Sequence, residues 1–252
     1  MPTIETEAFA LRTYPFSEHH KVCVFFTRQV GVVRAVAHGS RRLKSKYGAG
    51  LELFSQVHLK FREREGRDLV ELADCELVKS HFEAAANPEI AAILSYWSEL
   101  LTEFLPAHQP NDHIYRLLAA LLPCVESELD ATDALLRYFE TWLLKLSGFY
   151  PDLSVCVTCG TNFPSQESLY LARDGTPECA SCSERRGLVL SPASRHLIGR
   201  ILRCPPAEFA TVIIEPQTGR VLEELNQHLI RTSLERELKA YTVLKQLREF
   251  SL

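Results

Sequence analysis

The first 80 residues show the alternation of apolar and polar positions that is typical of β-strands. One stretch alternates strictly: Val57, His58, Leu59, Lys60, Phe61 and Arg62. Apolar or β-branched runs at residues 9–11, 22–26, 32–36 and 69–77 predict four more strands. Five short strands suit a small closed barrel, and the longest connection, residues 38–51, falls between the third and fourth of them. The pattern therefore predicts an OB-fold, which binds oligonucleotides on one face and its loops.

From residue 88 the apolar positions recur with the period of an α-helix. Helical patterns cover residues 90–105, 114–122, 135–146, 192–202, 217–231 and 234–248. Asn87 and Ser191, each followed by proline, have the character of helix N-caps, and Ser233 is placed to cap the last helix. The pattern predicts an α+β, multi-domain protein in which a barrel is followed by a helical C-terminal domain.

Four of the eight cysteines form two pairs, Cys156-x2-Cys159 and Cys179-x2-Cys182. Each pair is spaced so that a tight turn directs both thiolates at one ion, and Asp174-Gly175 predicts a hairpin turn between the pairs. The spacing favours one structural Zn²⁺ per chain, held by four thiolates with no open position for catalysis. A redox-active pair and disulfides are the alternatives, but no thioredoxin-like pattern and no secretory signal support them. The other cysteines lie in apolar contexts.

The charges are distributed unevenly along the chain, although the net charge is only −4. Residues 81–155 carry three basic and eleven acidic side chains, whereas no acid lies between Glu18 and Glu52. That acid-free window holds seven basic residues, four of them in the basic segment, which we define as residues 38–50. Cations without nearby carboxylates, interleaved with glycine and hydroxyl groups, are typical of a site for nucleic-acid backbones. A solvated loop that only maintains solubility is the alternative.

The predicted DNA-binding residues come from the acid-free window and from the polar face of the alternating strand. They are Lys21, Arg28, Arg34, Arg41, Arg42, Lys44, Lys46, Lys60 and Arg62. Phosphate contacts carry no base information, so binding with little sequence preference is expected. No arrangement of histidines, carboxylates or nucleophiles indicates catalysis, so the chain is predicted not to be an enzyme.

We expect the barrel at residues 1–79, a helical domain at 80–155, the four-cysteine zinc module at 156–186 and further helices at 187–252 that pack with the helical domain. With no apolar stretch of membrane-spanning length and no secretory layout at the N-terminus, a cytoplasmic protein is expected. A zinc-containing adaptor or transcription-type factor, whose OB-fold binds protein or RNA, is the main alternative. A nuclease is less favoured, because the basic segment lacks a carboxylate cluster for Mg²⁺.

Several segments together resemble the RecO family of bacterial recombination mediators. The resemblance lies in residues 10–13, in Phe25-Phe26-Thr27-Arg28, in Gly39 to Lys46 with Leu51-Glu52-Leu53-Phe54, and in Gly148 to Leu153 leading into Cys156 and Cys159. The four cysteines are similar to those of the zinc-containing branch of that family.

This resemblance implies that the protein binds single- and double-stranded DNA and anneals complementary strands. It also implies cooperation with RecR and single-stranded-DNA-binding protein to load RecA during DNA repair, in association with the nucleoid. The residues carried over from the family are the basic segment and the four cysteines.

Overall fold

A computed structural model describes residues 3–42, 45–63, 66 and 68–250 of the chain. The N-terminal strands are β1 (Thr3–Pro15), β2 (Lys21–Thr27), β3 (Gly31–Ala37), β4 (Gln56–Arg62) and β5 (Leu69–Lys79). The helices are α1 (Pro88–Phe104), α2 (Asp112–Ser127), α3 (Thr132–Leu146), α4 (Pro192–Ile201), α5 (Pro206–Phe209), α6 (Pro216–Leu234) and α7 (Lys239–Phe250). Three short strands lie between α3 and α4: β6 (Leu169–Leu171), β7 (Pro177–Glu178) and β8 (Leu188–Leu190). Within the described residues, no helix is long and apolar enough to cross a membrane.

The five N-terminal strands form a closed barrel in the order β1-β2-β3-β5-β4. Neighbouring strands are antiparallel except β3 and β5, whose pairing is parallel. A closed five-stranded barrel with this crossover is the predicted OB-fold. The fold-class prediction is confirmed: the barrel precedes a helical C-terminal region that carries the four cysteines.

The interior of the barrel is filled by the alternating apolar positions of all five strands. Buried there are Ala8, Ala10, Cys23, Phe25, Val33, Ala35, Ala37, Val57, Leu59, Phe61, Val70, Leu72 and Cys75, together with Tyr47 and Leu51 of the long connection. Burial raises the pKa of Cys23 to about 11 and that of Cys75 to about 12, so both thiols stay protonated at neutral pH. They are packing residues, as expected from their apolar contexts.

The outer face of the barrel is covered at one end. Phe9 and Phe26, cross-strand neighbours on β1 and β2, both contact the ring of Tyr115, with centroid distances of 4.8 Å and 5.9 Å. The Ser98 hydroxyl of α1 donates a hydrogen bond to the Leu11 carbonyl. The oligonucleotide-binding face of an OB-fold is therefore only partly open in this chain.

The chain divides into two compact units: residues 1–118 with 238–252, and residues 119–237. The domain boundaries expected from the sequence stay a prediction.

In the first unit, α7 packs along α1. Oxygens of the Glu99 carboxylate accept hydrogen bonds from the backbone N–H groups of Lys239 and Ala240, and Arg248 forms an ion pair with Glu89. The expected cap Ser233 lies inside α6 instead, and the last helix begins at residue 239. The prediction of that cap was wrong because α6 continues past Ser233 to Leu234, and the first N–H groups of α7 are bound by the Glu99 carboxylate instead.

In the second unit, a buried polar network joins α3 to α6. Arg137 and Glu140 are both buried and form an ion pair of 2.9 Å. The amides of Asn226 and Gln227 donate hydrogen bonds to the same Glu140 carboxylate. Such a network is stable only because the charged atoms find partners in the interior.

Candidate nucleic-acid interface and metal centre

The C-terminal part of the basic segment is anchored in the barrel. Tyr47 is buried and its hydroxyl donates a hydrogen bond to the Leu72 carbonyl, while the Lys46 ammonium donates to the Ala73 carbonyl. Gly50 is buried against Cys75, and a Cβ at this position would lie 3.0 Å from the Cys75 sulfur. These contacts fix the end of the segment, because the barrel strands that supply them are themselves rigid.

The N-terminal part of the basic segment is bound to the β1–β2 connection. Arg41 donates hydrogen bonds from its guanidinium to the Ser17 carbonyl and from its backbone N–H to the His19 carbonyl. The Gly39 N–H donates to Nδ1 of His20 at 2.9 Å, which requires that nitrogen to be unprotonated. The two connections thus form one continuous surface at this end of the barrel.

Several predicted DNA-binding cations face solvent at this end. Arg34, Arg41 and Arg42 are exposed, and no ion pair with a described carboxylate involves them. Lys21, at the start of β2, is half-buried and likewise has no such ion pair. Lys44 lies outside the described residues. The positive charge of this surface is therefore not neutralised by neighbouring described acids.

Arg28 has a different environment. Its guanidinium forms ion pairs with Glu7 at 2.9 Å and with Asp112 at 2.7 Å, and it lies over the Tyr115 ring. Hydrogen bonding to these carboxylates raises the pKa of Arg28, and the same contact lowers that of Asp112. The Arg28 charge is therefore already compensated, which leaves little attraction for a phosphate.

The polar face of β4 is mixed in charge. Lys60 lies opposite Glu5 on β1 and Asp74 on β5, and its ammonium is 3.1 Å from the Glu5 carboxylate. Hydrogen bonding to Glu5 raises the pKa of Lys60. Arg62 is exposed and lies opposite Glu71 of β5. This face does not extend the basic surface as uniformly as the β4 sequence alone suggests, because the neighbouring strands contribute acids.

The four cysteines of the two predicted pairs come together. Their sulfur atoms all lie within 4.8 Å of one another, and those of Cys159 and Cys179 are 3.9 Å apart. The first pair sits in a tight turn where the Gly160 N–H donates to the Cys156 carbonyl, with Gly160 at φ +72°. The second pair follows β7 directly, after the predicted hairpin through Gly175.

The donor set fits a tetrahedral metal ion. A Zn–S bond of about 2.3 Å in tetrahedral geometry places two sulfurs about 3.8 Å apart, close to the spacing seen here. Thr161 hydrogen-bonds Cys159 through its hydroxyl and its backbone, which lowers the Cys159 pKa to about 6. Hydrogen bonding to the Cys179 and Cys159 sulfurs raises the pKa of Cys182 to about 12. A bound cation would allow all four thiols to ionise together.

The Cys179 N–H also donates a hydrogen bond to the Cys156 sulfur, at 3.3 Å. Contacts of this kind orient metal ligands and compensate part of their negative charge. The cluster could therefore bind a metal ion, as the spacing of the cysteines predicts. None of the eight cysteines, all of them among the described residues, forms a disulfide in this structure, which disagrees with the disulfide alternative.

The chain is thus a multi-domain protein with an N-terminal OB-fold barrel that bears a basic surface and a helical C-terminal region that carries a four-cysteine cluster. Family models described as Recombination protein O N terminal and Recombination protein O C terminal match residues 1–81 and 85–242. The chain belongs to the RecO family.

Individual relatives match this chain over nearly the full length of both proteins. The chain is 30% identical to the DNA repair protein RecO of Syntrophotalea carbinolica, over 100% of this chain and 97% of that protein. It is 29% identical to the protein of the same name from Koribacter versatilis, over 96% and 98% of the two chains. Members of this family are recombination mediators rather than enzymes, which confirms the prediction that this chain is not an enzyme.

Proposed function

We propose that the chain is a DNA-binding recombination mediator that holds the backbones of single- and double-stranded DNA on its basic surface. The exposed cations Arg34, Arg41 and Arg42, which have no ion pair with a described carboxylate, carry this proposal. Lys21, Lys44 and Lys46 are further cations of the same acid-free stretch of sequence. Arg28, Lys60 and Arg62 contribute less, because carboxylates lie beside them or opposite them. Phosphates would displace only counterions from the open surface.

Strand annealing would follow from this binding of DNA backbones. Two complementary strands repel each other, and a protein that binds both backbones screens their charge and raises their local concentration. No covalent step is required. With RecR, the protein would then help to load RecA onto DNA coated by single-strand-binding protein, with the helical region docking these partners. Such a protein would act in the cytoplasm, at the nucleoid.

We also propose that the four-cysteine cluster holds one structural Zn²⁺. The sulfur spacing, the contact between the Cys159 sulfur and the Thr161 hydroxyl, and the hydrogen bond from the Cys179 N–H to the Cys156 sulfur support this metal. Zinc would crosslink the two cysteine turns, which is its usual role in such elements.

The test of DNA binding is a charge reversal, Arg41→Glu with Arg42→Glu. We expect a loss of affinity on the order of 100-fold for both single strands and duplex, and a matching loss of strand annealing. Binding and annealing by the unchanged protein should fall steeply between two salt concentrations, since each phosphate contact releases a counterion. Annealing measured with and without single-strand-binding protein tests the mediator role.

The matched control is Arg173→Glu with Lys245→Glu, which makes the same change in net charge at two exposed positions that are not part of the basic segment. Equal losses in both double variants would mean that only overall charge matters, and would contradict a DNA site at the basic segment. Tighter binding to RNA than to either form of DNA would favour the adaptor alternative.

A further inference from the structure

We propose that Tyr14 and Phe16, at the end of β1, form a stacking surface for the unpaired bases of single-stranded DNA. This proposal rests on the proposed function and adds the form of DNA that the surface selects. Phosphate-binding cations attract single strands and duplexes alike. An aromatic platform beside them favours the single strand, whose bases are free to stack on it.

The register of the barrel brings Tyr14 to the open end of the outer face. Tyr14 pairs with Val22 of β2, and one step along the same face Arg12 pairs with Val24, which itself pairs with Arg34 of β3. Cross-strand partners project from the same side of a sheet, so these residues share the outer face with Phe9 and Phe26. Tyr115 covers the Phe9 end of this face, and Val24 in its middle is buried, whereas Tyr14 at the other end is exposed.

Both aromatic side chains are exposed to solvent. The exposed fraction is 39% for Tyr14 and 55% for Phe16. The Arg12 guanidinium lies 5.0 Å from the centre of the Tyr14 ring, an arrangement that adds a cation beside the aromatic surface. Large apolar groups exposed among cations are typical of single-strand binding sites, where bases stack and phosphates pair with the charges.

Phe16 lies in the β1–β2 connection, whose backbone is tied by hydrogen bonds. The Phe16 and Ser17 N–H groups both donate to the His20 carbonyl, at 3.0 Å and 3.3 Å. The Arg41 guanidinium donates to the Ser17 carbonyl, so a cation of the basic segment is attached next to the aromatic residue. A strand whose backbone lies on the basic segment therefore has an aromatic surface within reach of its bases.

The charge pattern favours nucleic acid over a protein as the occupant. Arg12 lies over the Tyr14 ring, and Arg41 binds the carbonyl of Ser17, next to Phe16. Neither has an ion pair with a described carboxylate, nor does Arg34 farther along the outer face. Glu18 is the single acid of the β1–β2 connection, and it is exposed. An anionic polymer with flat apolar groups matches this combination of cations and rings.

The experiment compares Phe16→Ala and Tyr14→Ala with the unchanged protein, by measuring affinity for an oligothymidine and for a duplex of equal length. We expect each substitution to weaken single-strand binding about 10-fold, the effect of losing one stacked base, and to leave duplex binding unchanged. Phe82→Ala, an exposed phenylalanine of the same unit outside this surface, is the control. Phe16→Trp should restore single-strand binding.

The Phe16→Trp variant also gives a direct readout of stacking. Its added fluorescence should be quenched by the oligothymidine and not by the duplex, which a merely structural role would not produce. If the alanine variants bind both forms as the unchanged protein does, or lose both equally, the stacking surface is refuted. In that case a loss of both forms in the Arg41→Glu, Arg42→Glu variant would still support the proposed function, so the two failures are distinguishable.

Discussion

The barrel and the cysteine element, defined here as residues 156–182, are stabilised in different ways. The barrel closes around fifteen buried residues and contains strands of seven to thirteen residues. The cysteine element buries few apolar side chains, among them Leu169 and Leu171, and its strands β6 and β7 have three and two residues. An interior can stabilise the barrel, whereas the element needs a crosslink.

In the barrel, different residues carry stability and function. In the cysteine element, the same residues carry both. In the barrel, the apolar side chains point inward and the cations of the basic segment lie outside, so the binding surface can change without loss of the fold. In the cysteine element, the ligands of the proposed metal are the same residues that hold the turns together. Substitutions should therefore affect the two regions in distinct ways.

The largest effect should follow from Cys156→Ser. Structural zinc supplies roughly 10–16 kcal/mol in isolated zinc-binding peptides, so loss of one ligand should unfold the cysteine element and release the metal. Zinc content by metal analysis and hydrogen exchange of residues 156–182 measure this, and exchange in the barrel should stay slow. Cys204→Ser, outside the cluster, is the control. A variant that lacks zinc and still protects residues 156–182 would contradict the structural role.

The reverse experiment removes packing from the barrel. Phe61 is fully buried in the interior, and Phe61→Ala should lower the free energy of unfolding of that unit by about 3–5 kcal/mol, because a cavity replaces the ring. Unfolding in urea, with hydrogen exchange of β1 to β5 as the probe, measures this loss of free energy. Zinc content should be unchanged. The control Phe82→Ala, at an exposed position, should leave the free energy of unfolding nearly unchanged. Loss of zinc in the Phe61→Ala variant would show that the two regions are not independent.

Local patterns were sufficient to predict most elements. The β4 alternation, the caps at Asn87 and Ser191 and the hairpin at Gly175 all depend on residues close together in sequence, and the structure contains each of them. The four-cysteine cluster was predictable for the same reason, since the spacing within each pair fixes a turn and the hairpin brings the pairs together.

Interactions between distant segments were not predictable from these patterns. The acids beside Lys60 come from β1 and β5, and their positions depend on a strand register that one strand does not reveal. The cap of α7 is Glu99, 140 residues before Lys239. Tyr14 and Phe16 were missed because exposure decides their role, and an aromatic residue near a strand end gives no sign of whether it is buried.

The smallest effect should distinguish Arg28 from Arg41, two arginines that the sequence places in the same acid-free window. Arg28 is compensated by Glu7 and Asp112, whereas the described acids leave Arg41 without an ion pair. Arg41→Ala should therefore lower the slope of log affinity against log salt by about 1, the value for one phosphate contact. Arg28→Ala should leave that slope unchanged and alter stability only slightly, because exposed ion pairs contribute little. If Arg28→Ala reduces the slope as Arg41→Ala does, the DNA surface includes Arg28, and the covered end of the barrel must open when DNA binds.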